Sequence, residues 1–337
     1  MLGLYSGWIS RWEAALAELD QNRVVRPFDW GLEWLGLAGE QDPLEAVAHY
    51  SEGSVRESEA YFNHGGLGEW RVEGTTVAFS SPVTSPYPEN NTVYAEYFEA
   101  ENHQGRAVLV IPQWNADAQS HLNLCRMLRR IGLSALRLSM AYHHRRTPHE
   151  EKRADYHVSA NVGRTIHATR QSVLDARCCL DWLEQKGYSR IGILGTSLGS
   201  CVALLTAAHD ARPKAAVFNH VSLHFADVVC TGVSCRHIQE TLLPNVAQAD
   251  LRRCWSAISP ASFLGRLGDR DLASLLVWGN HDTTFRPEYS KLAMDAFRNG
   301  GLKHEVFRLP CGHYTTAKFP FSWMDGWAIC RFLHKLL

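Results

Sequence analysis

The chain has 337 residues, of which 45% are hydrophobic and 20% charged, with Lys+Arg 34 against Asp+Glu 35. That composition excludes a disordered chain, and the length is enough to bury roughly three quarters of the unfolded surface without a disulfide or metal staple. The balanced charge, net -1, excludes the basic face of a nucleic-acid binder, and no apolar run approaches the ~18 residues of a membrane span.

The opening residues MLGLYSGWISRWEAALAELD lack a basic stretch followed by a long apolar core, so no secretory signal is expected. The nine cysteines are odd in number and scattered, with no CxxC pair. That pattern points to a reducing, cytoplasmic setting with neither a disulfide framework nor a zinc site. Length alone allows either two domains of ~150 residues or one large α/β domain with additions.

Residues 1–65 read as a helical, Trp-rich extension. Within it Trp12, Ala15, Leu16 and Leu19 fall on one side of a helix. The run Pro27 to Leu35 crowds large apolar groups together and is expected to pin the extension onto the main domain, the alternative being a pocket mouth or a homodimer contact. From Trp70 the pattern turns to short β-rich runs at 77–80 and 93–98. The Pro/Ser/Asn-rich turn between them makes this an antiparallel hairpin at a sheet edge.

Beyond the hairpin, compact apolar runs at 107–111, 135–139, 190–194, 215–218, 274–278 and 305–309 alternate with helical stretches near 117–131, 165–186, 198–209, 287–298 and 322–336. This is the signature of a mostly parallel sheet covered by helices on both faces, here one domain spanning 66–337. The stretch between the strands at 215–218 and 274–278, about 55 residues, is longer than a plain crossover requires. Part of it, 220–262, is expected to form a lid over the strand ends.

The sharpest local feature is Gly195-Thr196-Ser197-Leu198-Gly199. A G-x-S-x-G arises by chance in roughly one chain in ten of this length, so its context has to carry the weight. Here a buried-type strand runs straight into it, and a helix with Leu198, Val202 and Leu205 on one face runs straight out. Strand, sharp turn and helix together thrust a serine Oγ up from a sheet edge, and the helix N-terminus aims the Leu198 amide at an oxyanion beside it. Such a serine needs an acid and then a histidine later in the chain. Asp282 follows the strand at 274–278 in Gly-Asn-His-Asp, and His313 follows the strand at 305–309 in Cys-Gly-His. His281 and His304 are weaker rivals for the base; Asp269 and Asp271 precede their strand, at the wrong end of the sheet.

Through these three motifs, in this order, the chain resembles the α/β-hydrolase superfamily over roughly residues 70–337. The resemblance implies an α/β-hydrolase fold and a Ser197–Asp282–His313 triad. It also implies a second oxyanion donor in the loop after the strand at 107–111. Relatives often carry His-Gly there; this chain reads Pro112-Gln113-Trp114-Asn115, so by position the amide of Trp114 or Gln113 would serve. Trp114 would floor the acyl pocket or pack under the lid.

A second stretch, Tyr142-His143-His144-Arg145-Arg146, follows the strand at 135–139 at the same sheet edge. Tyr142, His143 and Arg145 are candidates to line the pocket or bind an anionic substrate group; the alternative is a solvated loop held by salt bridges. Adjacent histidines rarely converge on one ion, so no metal is expected. The stretch is similar to Tyr-His-Gly-x-Arg-type loops in a branch of α/β-hydrolase domain-containing proteins of undefined substrate, as is Pro27 to Leu32.

The expected function is that of a serine hydrolase cleaving a small-molecule carboxylic ester or thioester through an acyl-enzyme, with no cofactor. The alternatives are C–C bond hydrolysis or acyl transfer by the same triad, or a catalytically silent binding module.

Overall fold

The computed structural model describes residues 2–20, 23–268 and 270–337. A nine-stranded sheet runs through the molecule, built from β1 (Trp70–Glu73), β2 (Thr76–Ser80), β3 (Thr92–Phe98), β4 (Arg106–Ile111), β5 (Ser134–Leu138), β6 (Arg190–Thr196), β7 (Pro213–Asn219), β8 (Ala273–Gly279) and β9 (His304–Leu309). Its order is β1-β2-β3-β5-β4-β6-β7-β8-β9. The pairings from β1 to β5 through β3 are antiparallel, and those from β5 to β9 are parallel. The helices are α1 (Leu2–Glu18), α2 (Pro43–Arg56), α3 (Ser58–Tyr61), α4 (Leu122–Arg130), α5 (Val162–Gln185), α6 (Leu198–His209), α7 (Phe225–Thr231), α8 (Arg236–Leu242), α9 (Gln248–Cys254), α10 (Pro287–Asn299) and α11 (Phe321–Leu336). Among the described residues, no helix is long and apolar enough to cross a membrane.

The burial pattern explains the sequence pattern. Strands β5 and β8 are buried at every position, as are all but the first residue of β4, because helices cover both faces; their sequences are therefore continuous apolar runs. At the edge, β1 is exposed throughout, and its Arg71 and Glu73 blunt an otherwise sticky strand. One apolar cluster joins Leu109, Ile193 and Phe218 of the sheet to Leu180 of α5 and Val202 of α6. On the other face Val110, Leu194 and Val217 meet Leu128 of α4, Leu333 of α11 and Ile9 of α1. Val47, Ala48 and Phe62 of the N-terminal extension belong to the first of these clusters.

Two helix starts differ from the sequence expectation for capping reasons. The helix expected from 117 begins at Leu122, because the Asp117 carboxylate instead accepts hydrogen bonds from the N–H groups of Gln119 and Ser120 and from Ser120 Oγ. In the other case α5 starts three residues early, capped by Asn161, whose side chain accepts from Arg164 N at 2.8 Å. The Pro27–Leu35 run docks at this same point. Its Asp29 and Trp30 carbonyls accept from Val162 N and Gly163 N, each at 2.9 Å, so two N–H groups at the start of α5 find partners in the extension. Gly163 is there because a Cβ would lie 2.1 Å from the Gly31 carbonyl oxygen.

The same steric rule governs the junction of β6 and α6. A Cβ on Gly195 would lie 2.0 Å from the Gly199 oxygen, and one on Gly199 would lie 2.2 Å from Ile111 O and 2.4 Å from Pro112 O. Backbone meets backbone at these points, so neither side can yield. Gly199→Ala is therefore expected to lower stability by about 1–3 kcal/mol, read as a lower urea midpoint. An unchanged midpoint would contradict the packing described.

Candidate active site

Ser197 occupies the turn between β6 and α6 with φ 58 and ψ -120, a conformation that strains any residue with a side chain. Short bonds hold it: Ser197 N donates to Asn219 O at 2.8 Å, while Ser197 O accepts from Ser200 N at 2.8 Å and from Ser200 Oγ at 2.7 Å. The hydroxyl meets His313 Nε2 at 3.1 Å, and His313 Nδ1 meets Asp282 Oδ2 at 3.1 Å. With Asp282 ionised, Nδ1 must carry the proton it donates, which leaves Nε2 free to accept the proton of Ser197.

Asp282 lies in the loop after β8, buried but saturated with donors. Its Oδ1 accepts from Thr284 N at 2.8 Å and Phe285 N at 2.7 Å. Its Oδ2 serves both His313 and a second histidine, His220, whose Nδ1 stands 2.7 Å away. Burial alone would raise the pKa of this carboxyl, but the two imidazoles outweigh it and hold the group well below the usual range. For His313 the balance runs the other way. Burial opposes its cation, while the charge and hydrogen bond of Asp282, helped by the charge of Glu13, raise its pKa above the ordinary value. The ring is stacked on Phe285, with centroids 5.4 Å apart and planes 6° apart, and lies edge-on to His220 at 4.7 Å.

Ligand-type atoms of His220, Asp282 and His313 lie within 4.8 Å of one another. Both imidazoles turn a ring nitrogen to one carboxylate oxygen, at 2.7 and 3.1 Å. This is the geometry of two N–H donors sharing an acceptor.

A cleft of about 480 Å³ opens beside Ser197, walled by Trp114, Leu198, Cys201, Phe225, Val229 and Phe285. None of its lining residues is Asp, Glu, Lys or Arg. His224 contributes a ring that burial keeps below its ordinary pKa. The 220–262 insertion contributes Phe225 and Val229 of α7, and Cys235 just after it, to this wall.

The fold is shared with known proteins. The model of the family "alpha/beta hydrolase domain containing 18" matches residues 117–250, which hold Ser197 but neither Asp282 nor His313. Acetyl xylan esterase from Paenibacillus sp. R4 is similar in structure, with TM-score 0.61, 16% identity, and coverage of 96% of this chain and 99% of the esterase. Acetyl xylan esterase 1 from Thermoanaerobacterium sp. JW/SL YS485 gives TM-score 0.58, 13% identity, and coverage of 92% and 99%. Acylaminoacyl peptidase from Pyrococcus horikoshii gives TM-score 0.58 and 11% identity over 73% of this chain, which spans only 40% of that peptidase. No curated protein matches the chain by sequence.

The chain has the α/β-hydrolase fold.

Within that fold Ser197, Asp282 and His313 come together, while the rival groups lie elsewhere. His281 packs on Tyr5 with centroids 6.1 Å apart, and His304 opens β9 with Nδ1 2.7 Å from Leu302 O. Asp271 precedes β8, and Asp269 lies outside the described residues. Trp114 lines the cleft with Leu198, its indole N–H donating to Ala154 O at 3.0 Å. Gln113 directs its side-chain amide to Ser120 Oγ at 3.3 Å, and only its backbone remains for the site.

Tyr142, His143 and Arg145 do not reach the Ser197 cleft, which corrects their expected place in the substrate pocket. Tyr142 is buried against Tyr87 and Tyr156. His143 is buried with Nδ1 2.8 Å from Ala141 O, and burial drives its pKa well down. Arg145 lies over the Tyr94 ring. For Tyr142 and His143 the cause is Arg146, whose guanidinium pairs with Asp175 at 2.8 Å and donates to Ser139 O and Asn90 O, all buried; Arg145 stays exposed. Arg146→Ala leaves Asp175 buried and unpaired, so it is expected to lower stability by about 3–5 kcal/mol in urea unfolding. A loss below about 1 kcal/mol would contradict this.

Two residues of the site escaped the sequence reading. His220 sits one position past β7, at the carboxyl edge where Ser197, Asp282 and His313 also lie, and that position was its signal. Glu13 is fully buried in α1, in line with buried Ile9 and Ala17 at i,i+4 spacing. A lone acid on an apolar stripe was its signal.

Proposed function

We propose that the protein is a serine hydrolase that cleaves a carboxylic ester or thioester through an acyl-enzyme. One observation carries the reading: the unbroken chain Ser197 Oγ, His313, Asp282, with both contacts at 3.1 Å, standing at the wall of an apolar cleft. His313 takes the proton of Ser197 as Oγ attacks the acyl carbon. Asp282 keeps the imidazole in the required tautomer and stabilises its cation. The tetrahedral oxyanion is met by the amide of Leu198 at the start of α6 and by that of Trp114 or Gln113, each worth roughly 2.7–4 kcal/mol. Packing supports this pair, because Gly199 seats the turn directly on the Ile111 and Pro112 carbonyls and brings the loop after β4 against the elbow. His313 then delivers the proton to the leaving group and later activates the water that releases the acyl group.

The wall of the cleft argues for the acyl side of the substrate. With no charged side chain among its lining residues, it suits an uncharged, largely apolar acyl group and would leave a carboxylate or ammonium there unpaired. The similar folds named as acetyl xylan esterases and acylaminoacyl peptidase are consistent with acyl transfer to water.

Ser197→Ala is expected to leave the circular dichroism spectrum unchanged and to reduce kcat on p-nitrophenyl butyrate by roughly 10⁴-fold or more. Equal activity in that variant would overturn the assignment. The pH profile follows from His313, which must be neutral to accept a proton and whose pKa is raised. Activity is therefore lost as pH falls, and the acid limb of kcat/KM is expected to have its midpoint above the ordinary histidine value of about 6.5. A midpoint below about 6 would contradict the role given to Asp282.

A further inference from the structure

The N-terminal extension carries no part of the triad, yet its first helix reaches the loop that bears His313. We propose that Glu13 of α1 is a positioning residue, holding His313 in line with Ser197 by gripping the loop on both sides of the histidine. The proposal rests on the reading of His313 as the base.

The contacts define the grip. Glu13 Oε1 accepts from Tyr314 N at 2.9 Å, and Oε2 accepts from both Thr315 N and Thr315 Oγ1 at 2.9 Å. Thr315 Oγ1 in turn accepts from Gly312 N at 2.7 Å, which closes the loop around His313. On the other side of the histidine the carboxylate lies flat against Gly312, where a Cβ would stand 2.3 Å from Glu13 Cδ. Glycine at 312 is therefore a requirement of Glu13, and not of backbone conformation, since Gly312 has no positive φ. The rest of the extension reinforces the contact. Tyr5 OH donates to Pro310 O, and Arg23, paired with Asp20, donates to Tyr314 OH at 2.7 Å.

Mere attachment of α1 would not require this chemistry. A fully buried carboxylate is expensive unless it is paired, and among the described residues no Lys or Arg lies within ion-pair distance of Glu13. Its charge is met by the N–H and O–H groups of the His313 loop. Apolar contacts such as Ile9, or Trp12 against Phe321, would dock the helix without it. What the carboxylate adds is direction: an acceptor fixed to a rigid helix sets where residues 312–315 sit, and a displacement of about 1 Å in a catalytic group costs roughly 10²-fold in rate. The charge also acts on the base itself. The titratable groups around His313 are Asp282, His220, Glu13 and Tyr314, with Arg23 behind Tyr314; Cys311 and His281 lie near Glu13. Neutralising Glu13 removes one of the two negative charges that favour the His313 cation.

The test compares Glu13→Gln and Glu13→Ala with wild type on p-nitrophenyl butyrate, with folded protein counted by urea midpoint and active sites by fluorophosphonate titration. Glu13→Gln cannot satisfy all three donors, so kcat per active site is expected to fall roughly 10- to 100-fold while KM stays within about twofold. The acid limb of kcat/KM is expected to move to lower pH. Should Glu13→Ala fail to fold, Glu13→Gln carries the test alone. The proposal is overturned if Glu13→Gln keeps the wild-type kcat per active site and the wild-type acid limb. It is equally overturned if its activity falls only in proportion to lost folded protein. Failure of the functional reading looks different: Ser197→Ala would then be as active as wild type, or wild type would hydrolyse no ester. In that event the histidine NMR titration, with His313→Asn for assignment, decides on Glu13. A lower His313 pKa and shifted Tyr314 and Thr315 amide resonances in Glu13→Gln support the grip, and unchanged spectra overturn it.

Discussion

The site depends on one strained residue held between two elements that touch backbone to backbone. Ser197 adopts φ 58 and ψ -120 because β6 runs into α6 without space for a longer turn, and Gly195 and Gly199 make that approach sterically possible. If either glycine carried a side chain, strand and helix would move apart, and the hydroxyl would leave the line to His313. The same approach seats Gly199 on the carbonyls of Ile111 and Pro112, so the loop after β4 is delivered to the serine by the contact that strains it. The positions of Ser197 and of the loop after β4 are therefore set by a single packing event.

Around this point the parallel sheet does the gathering. The parallel strands β6, β7, β8 and β9 all end at the same edge, and each contributes one group there: Ser197, His220, Asp282 and His313. Ligands of open α/β sheets bind at that edge because the strand ends place loops from distant parts of the chain side by side. Asp282 is the electrostatic centre. It is buried, takes two backbone N–H groups on one oxygen and two imidazoles on the other, and so remains ionised where a lone carboxyl would not. Because His220 draws on the same oxygen as His313, Asp282 is held from two sides, which fixes the plane of the carboxylate and with it the direction presented to His313.

How much of this could be read from the sequence follows from the range of the interactions involved. The strands are legible because burial on both faces leaves continuous apolar runs, as in Ala107 to Ile111 and Ser274 to Trp278. The grouping of Ser197, Asp282 and His313 is legible because strand end, turn and helix are local signals that follow one another along the chain. Groups that act across long sequence separations were not legible in the same way. Glu13 meets Thr315 across 302 residues, and His220 meets Asp282 across 62. The loop at Tyr142–Arg146 was not legible in the same way, because a run of charges does not say which side chain turns inward. Arg146 is spent inside, on Asp175 and two carbonyl oxygens, with Tyr142 and His143 buried beside it, while Arg145 stays exposed. The late start of α4 has the opposite origin, a purely local one: the carboxylate of Asp117 competes with the helix for the same N–H groups.

The central claim is that Ser197 is a nucleophile activated by His313, and mapping the covalent adduct of a fluorophosphonate probe tests it most directly. A single modified peptide is expected, with the phosphonyl group on Ser197, together with a labelling rate that collapses in His313→Ala while the fold persists. No adduct on Ser197, or labelling of Ser197 at an undiminished rate without His313, would contradict it.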